Sequence, residues 1–114
     1  MSTLETEFAG ELDVAGVKYT KRANKLFGRP DFVLDGDTCV VFIHGCYWHG
    51  HSCKNWNLSP IWTSKINSTK LRDFKVRTYY KHSQYKYFRI WECELQKYGA
   101  RAVVQKLQQF ISSC

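Results

Sequence analysis

Three of the chain's four histidines and two of its five cysteines fall within twelve residues, Phe42-Ile-His-Gly-Cys-Tyr-Trp-His-Gly-His-Ser-Cys53. Thiolate sulfur and imidazole nitrogen are the ligands that zinc prefers, and a structural zinc site takes four of them in tetrahedral array. Cys46, Cys53 and one histidine supply three. Cys93, in Ile90-Trp-Glu-Cys-Glu94, is the best-placed fourth, because it follows a strand-like run that can return the chain to the same place. Spacing alone leaves His49 and His51 open as the nitrogen ligand, and either choice leaves at least two histidines free beside a metal-stiffened loop. An isolated Cys or His is usually packing or surface, but five potential ligands in the ten residues from His44 to Cys53 argue against that. A disulfide framework is the weaker alternative: the cysteine count is odd, no secretory leader is recognisable, and the histidines would go unexplained.

A second kind of chemistry lies next to the first. Asp31 offers a hard carboxylate oxygen, and His44 and His49 offer imidazole nitrogens. Metal-assisted phosphodiester hydrolysis asks for this set: a carboxylate to hold Mg²⁺, which neutralises charge on the phosphate and activates a water, and imidazole to relay protons or bond the phosphate.

These groups need elements to bring them together. In Phe27-Gly-Arg-Pro-Asp-Phe-Val-Leu34, Pro30 cannot donate to a ladder and so marks a strand start, with Asp31 at its mouth. Asp35-Gly36 is a turn signal, and Cys39-Val-Val-Phe-Ile43 reads as the antiparallel partner strand, so the hairpin carries Asp31 toward His44. Cys39 within that run reads as a small buried hydrophobe. Upstream, Leu4, Phe8 and Leu12 recur every four positions on one face of a helix. Ser2 or Thr3 is its N-cap, and Glu5 is either a capping-box partner for Ser2 or an acid beside the active centre. Gly16 ends this helix, and Val17–Thr20 reads as a short strand before the basic loop Lys21–Lys25. Lys54–Pro60 has loop composition, and Trp62 to about Tyr80 reads as a basic helix with apolar Ile66, Leu71, Phe74 and Val76. Tyr85–Trp91 alternates as a further strand ending at Glu92–Cys93. After Gly99 a last amphipathic helix carries Ala102, Val103, Leu107, Phe110 and Ile111, and Cys114 reads as a free terminal thiol.

The 114 residues suit a single α/β domain spanning 1–114, and 44% hydrophobic content argues for a folded chain. No apolar run approaches the roughly eighteen residues that a membrane span needs, and the N-terminus is acidic where a leader would be basic. The expected setting is therefore cytoplasmic, with reduced thiols and no membrane partner; nothing suggests a dimer seam, so a monomer is expected. Net charge is +7, which points to a polyanion. Residues 54–90 hold nine Lys or Arg against Asp73 alone, interleaved with Trp56, Trp62, Tyr79, Tyr80, Tyr85 and Tyr87. Cations hold phosphates and flat rings stack on bases, so nucleic acid is the expected partner.

Gly28-Arg-Pro-Asp-Phe-Val-Leu34, the block from Cys39 to Cys53, Trp62-Thr-Ser-Lys-Ile66, Arg72-Asp73 and Trp91-Glu-Cys-Glu-Leu95 together resemble the very short patch repair (Vsr) endonucleases, over a stretch from about Leu4 to Leu95. That resemblance implies a restriction-endonuclease-like core, a mixed central sheet flanked by helices, with a structural zinc added. It implies a Mg²⁺-dependent enzyme that nicks one strand of double-stranded DNA beside a T:G mismatch. By motif, Asp31 resembles the metal-binding carboxylate, assisted by the main-chain carbonyl of Ile43; His44 and His49 resemble the active-site imidazoles, and Glu5 the acid of the first helix. Cys46, His51, Cys53 and Cys93 resemble the zinc set. Tyr47, Trp48 and Trp62 resemble an aromatic wedge that enters the base stack, at a cost of a few kcal/mol of unstacking that is lowest at a mismatched step. Lys65, Thr69 and Arg72 complete the expected DNA contacts. The pattern departs from the family twice. The chain starts almost at the first helix, where members carry a basic and polar arm, and Thr69 stands where they tend to carry an Asn that helps to read the mismatch. The resemblance therefore extends to catalysis more directly than to mismatch choice, and leaves room for a nicking enzyme with a non-repair role or for an inactive zinc-held DNA-binding module.

Overall fold

A computed structural model describes residues 3–21, 25–34, 39–53 and 56–112. The elements follow the order α1 (Thr3–Val14), β1 (Tyr19–Lys21), β2 (Phe32–Leu34), β3 (Cys39–His44), α2 (Pro60–Lys81), β4 (Lys86–Trp91), α3 (Glu92–Tyr98) and α4 (Ala100–Ser112). The expected cap at Ser2, the Asp35-Gly36 turn, the middle of the basic loop, Lys54 and Cys114 lie outside the described residues.

One mixed sheet runs β1-β2-β3-β4. The first three strands are antiparallel and β4 joins β3 in parallel, in register from Cys39↔Lys86 to His44↔Trp91. Strand β3 is apolar from Cys39 to Ile43 because both of its faces are covered, as parallel pairing in a layered α/β fold requires. Its side chains alternate between two cores. Cys39 and Val41 join Phe8 and Leu12 of α1 and Val103, Val104 and Leu107 of α4 on one face. Val40 and Phe42 meet Val76 and Tyr80 of α2 on the other. The thiol of Cys39 is fully buried and pushed up to about 12 by desolvation, so it is an inert packing group, as expected.

Three sequence expectations are refined. The basic helix begins two residues earlier than expected, at Pro60, where Ser59 Oγ accepts from the Trp62 amide at 3.4 Å and proline suits the first turn. Along it Ile66, Val76 and Tyr80 are buried, whereas Leu71 and Phe74 are 57% and 56% exposed. Strand β4 ends at Trp91, not at Cys93. A short helix, α3, starts at once, because the Glu94 carboxylate turns back to accept from the Trp91 amide at 3.0 Å and caps that end. Among the described helices none is long and apolar enough to cross a membrane.

The link that matters most for the site is the Tyr80 hydroxyl, which donates to the Phe27 carbonyl and holds the Leu26–Asp31 segment on α2. Gly28 in that segment sits at φ 76°, with its Cα so close to Val76 that a Cβ would lie 2.8 Å from Val76 Cγ1. Tyr80→Phe should cost about 1 kcal/mol in a denaturant unfolding curve, the usual net worth of one such hydrogen bond.

Candidate active site and metal cluster

The parallel pairing of β3 with β4 places the ends of both strands side by side, so the loop after β3 and the helix after β4 meet there. Cys46, His51, Cys53 and Cys93 offer ligand atoms that all lie within 4.8 Å of one another. In a tetrahedral site with bonds near 2.3 Å, ligand atoms lie about 3.8 Å apart, so the group needs little movement to close on an ion. The Cys93 amide donates to Cys46 Sγ at 3.4 Å, and Cys93 Sγ lies 3.5 Å from His51 Nδ1. The His51 ring stacks on Trp91 at 4.1 Å and 10°, and the Trp56 indole N–H donates to the His51 carbonyl at 2.9 Å. Cys46 is buried, and desolvation together with the neighbouring thiols pushes its own thiol up to about 12. A buried thiol with two more thiols against it is a poor arrangement unless a cation converts them to thiolates. Of the two histidines that spacing left open, the structure puts His51 with the sulfurs.

His49 turns the other way. Its Nδ1 lies 2.6 Å from Asp73 Oδ2, and its ring stacks on His44 at 3.9 Å and 4°. A carboxylate only accepts, so Nδ1 carries the proton and Nε2 is left to act on a substrate. His44 is 5% exposed. Its Nδ1 is 4.0 Å from the same Asp73 oxygen, too long for a hydrogen bond. Desolvation, then the His49 ring and the Arg89 and Arg72 cations, push the His44 pKa down to about 4 against the opposing pull of Asp73. His44 is therefore neutral at neutral pH.

Gly50 makes the divergence of His49 and His51 possible. It sits at φ 63°, a conformation costly for any residue with a Cβ, and it packs on α2, where a Cβ would collide with the Lys70 side chain and lie 2.7 Å from Ile66 Cγ2.

Asp31 enters from the start of β2. Its amide donates to the Val41 carbonyl at 3.0 Å, and its Oδ2 accepts from the Ile43 amide at 2.7 Å. Asp31, Ile43, His44, His49, Arg72 and Asp73 line one cavity of about 200 Å³. That is room for several waters or a phosphate group, since a water occupies roughly 30 Å³ of liquid. Arg29 lines it too, held at φ 54°, which non-glycine residues seldom adopt. Glu5, half-buried in the first turn of α1, is not among the described residues of this cavity. The hairpin thus brings Asp31 to the imidazoles as expected, while the acid that touches them is Asp73. As a lone carboxylate in a basic helix, Asp73 was the one signal available.

The expected DNA-contacting rings also gather. Tyr47 and Trp48 lie edge-on at 5.3 Å, Trp48 and Trp62 at 5.3 Å, and Lys65 Nζ sits 4.7 Å over the Trp62 ring. Trp48 is 56% exposed. Trp56 joins the group 5.2 Å from Tyr47, so one residue ties the ring cluster to the metal loop. Thr69 spends its hydroxyl on the Lys65 carbonyl at 3.1 Å, and Arg72 serves the cavity rather than the rings.

Residues 2–55 match a family model described as DNA mismatch endonuclease Vsr. The chain is 39% identical over 84 residues to the Type II nicking enzyme V.NmeAIP of Neisseria meningitidis serogroup A, covering 70% of this chain and 60% of that one. It is 30% identical over 117 residues to the DNA mismatch endonuclease Vsr of Escherichia coli K12, covering 96% and 75%. It is 32% identical over 89 residues to the Type II nicking enzyme V.XorIIP of Xanthomonas oryzae pv. oryzae, covering 75% and 65%. The chain thus spans 60–75% of the length of these relatives.

Gly50→Ala should destabilise the fold by about 2–4 kcal/mol, the sum of the left-handed backbone cost and crowding against Ile66. A thermal melt showing an unchanged midpoint would contradict this account of the turn.

Proposed function

The chain belongs to the Vsr DNA mismatch endonuclease family, and from that footing we propose that it is a Mg²⁺-dependent endonuclease that nicks one strand of duplex DNA, built as one domain with a restriction-endonuclease-like core. The observation that carries the reading is the single cavity lined by Asp31, His44, His49 and Asp73, beside a cluster of three cysteines and a histidine.

The two sets of donors suit different ions. Three sulfurs and an imidazole match structural zinc, which we assign to Cys46, His51, Cys53 and Cys93. Oxygen donors match Mg²⁺, which Asp31 would hold with the main-chain carbonyl of Ile43. Val41 and Ile43 already direct backbone groups to the β2 edge where Asp31 lies, and in an extended strand the N–H and C=O of one residue share an edge. When bound, Mg²⁺ supplies charge neutralisation on the phosphate and a more acidic water. The chain's own residues do the rest. Asp73 fixes the His49 tautomer, so that Nε2 can take a proton. Neutral His44, held by stacking, donates a hydrogen bond to a phosphate oxygen or relays a proton, and Arg72 at the rim offers a permanent cation. Glu5 is kept outside this set because it does not line the cavity.

Tyr47, Trp48 and Trp62, braced by Trp56, form the wedge that enters the duplex, with Lys65 on the backbone. A T:G mismatch is the preferred target, because an imperfectly paired step opens at least cost. One observation favours a second reading, in which matched DNA is also nicked: the Thr69 hydroxyl is turned onto its own helix. The site of action on DNA is cytoplasmic, and the enzyme acts as a monomer.

Supercoiled plasmid, and duplexes with and without a T:G pair, incubated with protein and Mg²⁺ test this directly. Nicking should disappear in Asp31→Ala and fall about 10–100-fold in Asp73→Asn, the usual loss when the partner that orients an imidazole is removed. Equal cleavage of matched and mismatched duplexes would select the second reading. Absence of cleavage by folded, metal-loaded protein would reduce the chain to a DNA-binding module. Separately, Cys93→Ser should lower zinc content and unfold or aggregate the protein, because metal-binding energy in such sites is folding energy; full zinc occupancy in that variant would remove Cys93 from the ligand set.

A further inference from the structure

Beside the catalytic cavity, the C-terminal half of α2 and strand β4 enclose two further hollows of about 450 and 740 Å³. Both are lined by Phe74 and Arg77, so together they form one groove. It adjoins the catalytic cavity at both hollows, since His49 and Asp73 border the first and Tyr87 the second as well as the cavity itself. Four cations line it, Lys70 and Arg89 in the first hollow, Lys81 in the second and Arg77 in both. Among its described residues the only carboxylate is Asp73, which is engaged by His49.

The groove also presents flat rings. Phe74 is 56% exposed, with the Arg77 guanidinium 5.8 Å over it, and Tyr85 and Tyr87 line the far end. An exposed phenylalanine adds nothing to the core, yet beside cations it forms the pairing that binds unpaired strands, in which phosphates meet Lys and Arg while bases stack on rings. A duplex hides its base faces, so this surface suits only a strand whose bases are unstacked.

We propose that this groove binds an unpaired DNA strand, the one released at the nick, which leaves the catalytic cavity past Asp73 and runs over Phe74 toward Tyr85. The inference rests on the nicking activity proposed above for the choice of strand, and on the groove alone for its capacity to bind one.

Fluorescence anisotropy of a labelled oligothymidylate, roughly 12 nucleotides long and so within the usual site sizes, measures that capacity without any cleavage. The wild-type chain should bind it, and the double variant Phe74→Ala/Arg77→Ala should bind at least about tenfold more weakly, as expected for loss of one stacked base and one phosphate contact. Zinc content and melting temperature establish that the variant is folded. Tyr98→Ala, which removes an exposed ring outside both the groove and the wedge, should keep its affinity for the oligonucleotide. A nicked duplex with an unpaired tail at the nick should outcompete a flush nick by a similar factor in wild-type protein only. The proposal is overturned if the wild type ignores the oligonucleotide, if the folded double variant binds it equally, if Tyr98→Ala loses as much, or if the tail brings no advantage. Plasmid nicking is scored apart: strand binding without nicking retains the groove and removes the nuclease, and nicking without strand binding does the reverse.

Discussion

The parallel pairing of β3 with β4 is the constraint on which both sites depend. Because His44 and Trp91 are register partners at the strand ends, the loop after one and the helix after the other emerge from the same edge of the sheet. Cys46 and Cys93 are distant in sequence, yet the amide of one reaches the sulfur of the other. Loop-closure entropy grows only slowly with such a separation, and the buried ladder between β3 and β4 offsets it. Without that register, the sulfurs would be a loose set on a polar loop.

The same edge explains why His44 tolerates burial. An imidazole with little solvent access has to stay neutral or find a carboxylate. His44 stays neutral, lying flat against His49 and edge-on to Trp91, while Asp73 commits itself to His49 and Asp31 to the Ile43 amide. The two rings thus divide the work through their surroundings: one is polarised by Asp73 and the other insulated by the sheet. Pairs of titratable groups held in unlike environments are the general way a site obtains distinct proton-handling roles from one residue type.

Much of this was legible in the sequence, and the misses share a cause. Local signals found the hairpin that delivers Asp31, the strand that returns Cys93, and the density of ligands from His44 to Cys53, because each depends on neighbours within a few residues. The separation of His49 from His51 could not be read from spacing alone, since it depends on Gly50 meeting Ile66 and Lys70 of a helix that starts ten residues later. Asp73 was hidden for the same reason: nothing in a basic helix announces which of its faces will meet the histidine loop. Trp56 as a brace and α3 as a helix also rest on tertiary or side-chain bonds, to the His51 carbonyl and the Trp91 amide. Leu71 and Phe74 fit a helical pattern but are not in the core, because they lie on the side of α2 away from Val76 and Tyr80, which face the sheet.

The left-handed turn at Gly50 makes neighbours of two rings that face different surroundings. On one side of that single residue hangs a ring anchored by Asp73, and on the other a ring stacked on Trp91 among the thiols. A staple and a working part that share a hinge cannot be adjusted separately. A displacement of His51 among the sulfurs therefore reaches His49 and its contact with Asp73 through one residue, so the two groups of side chains move together.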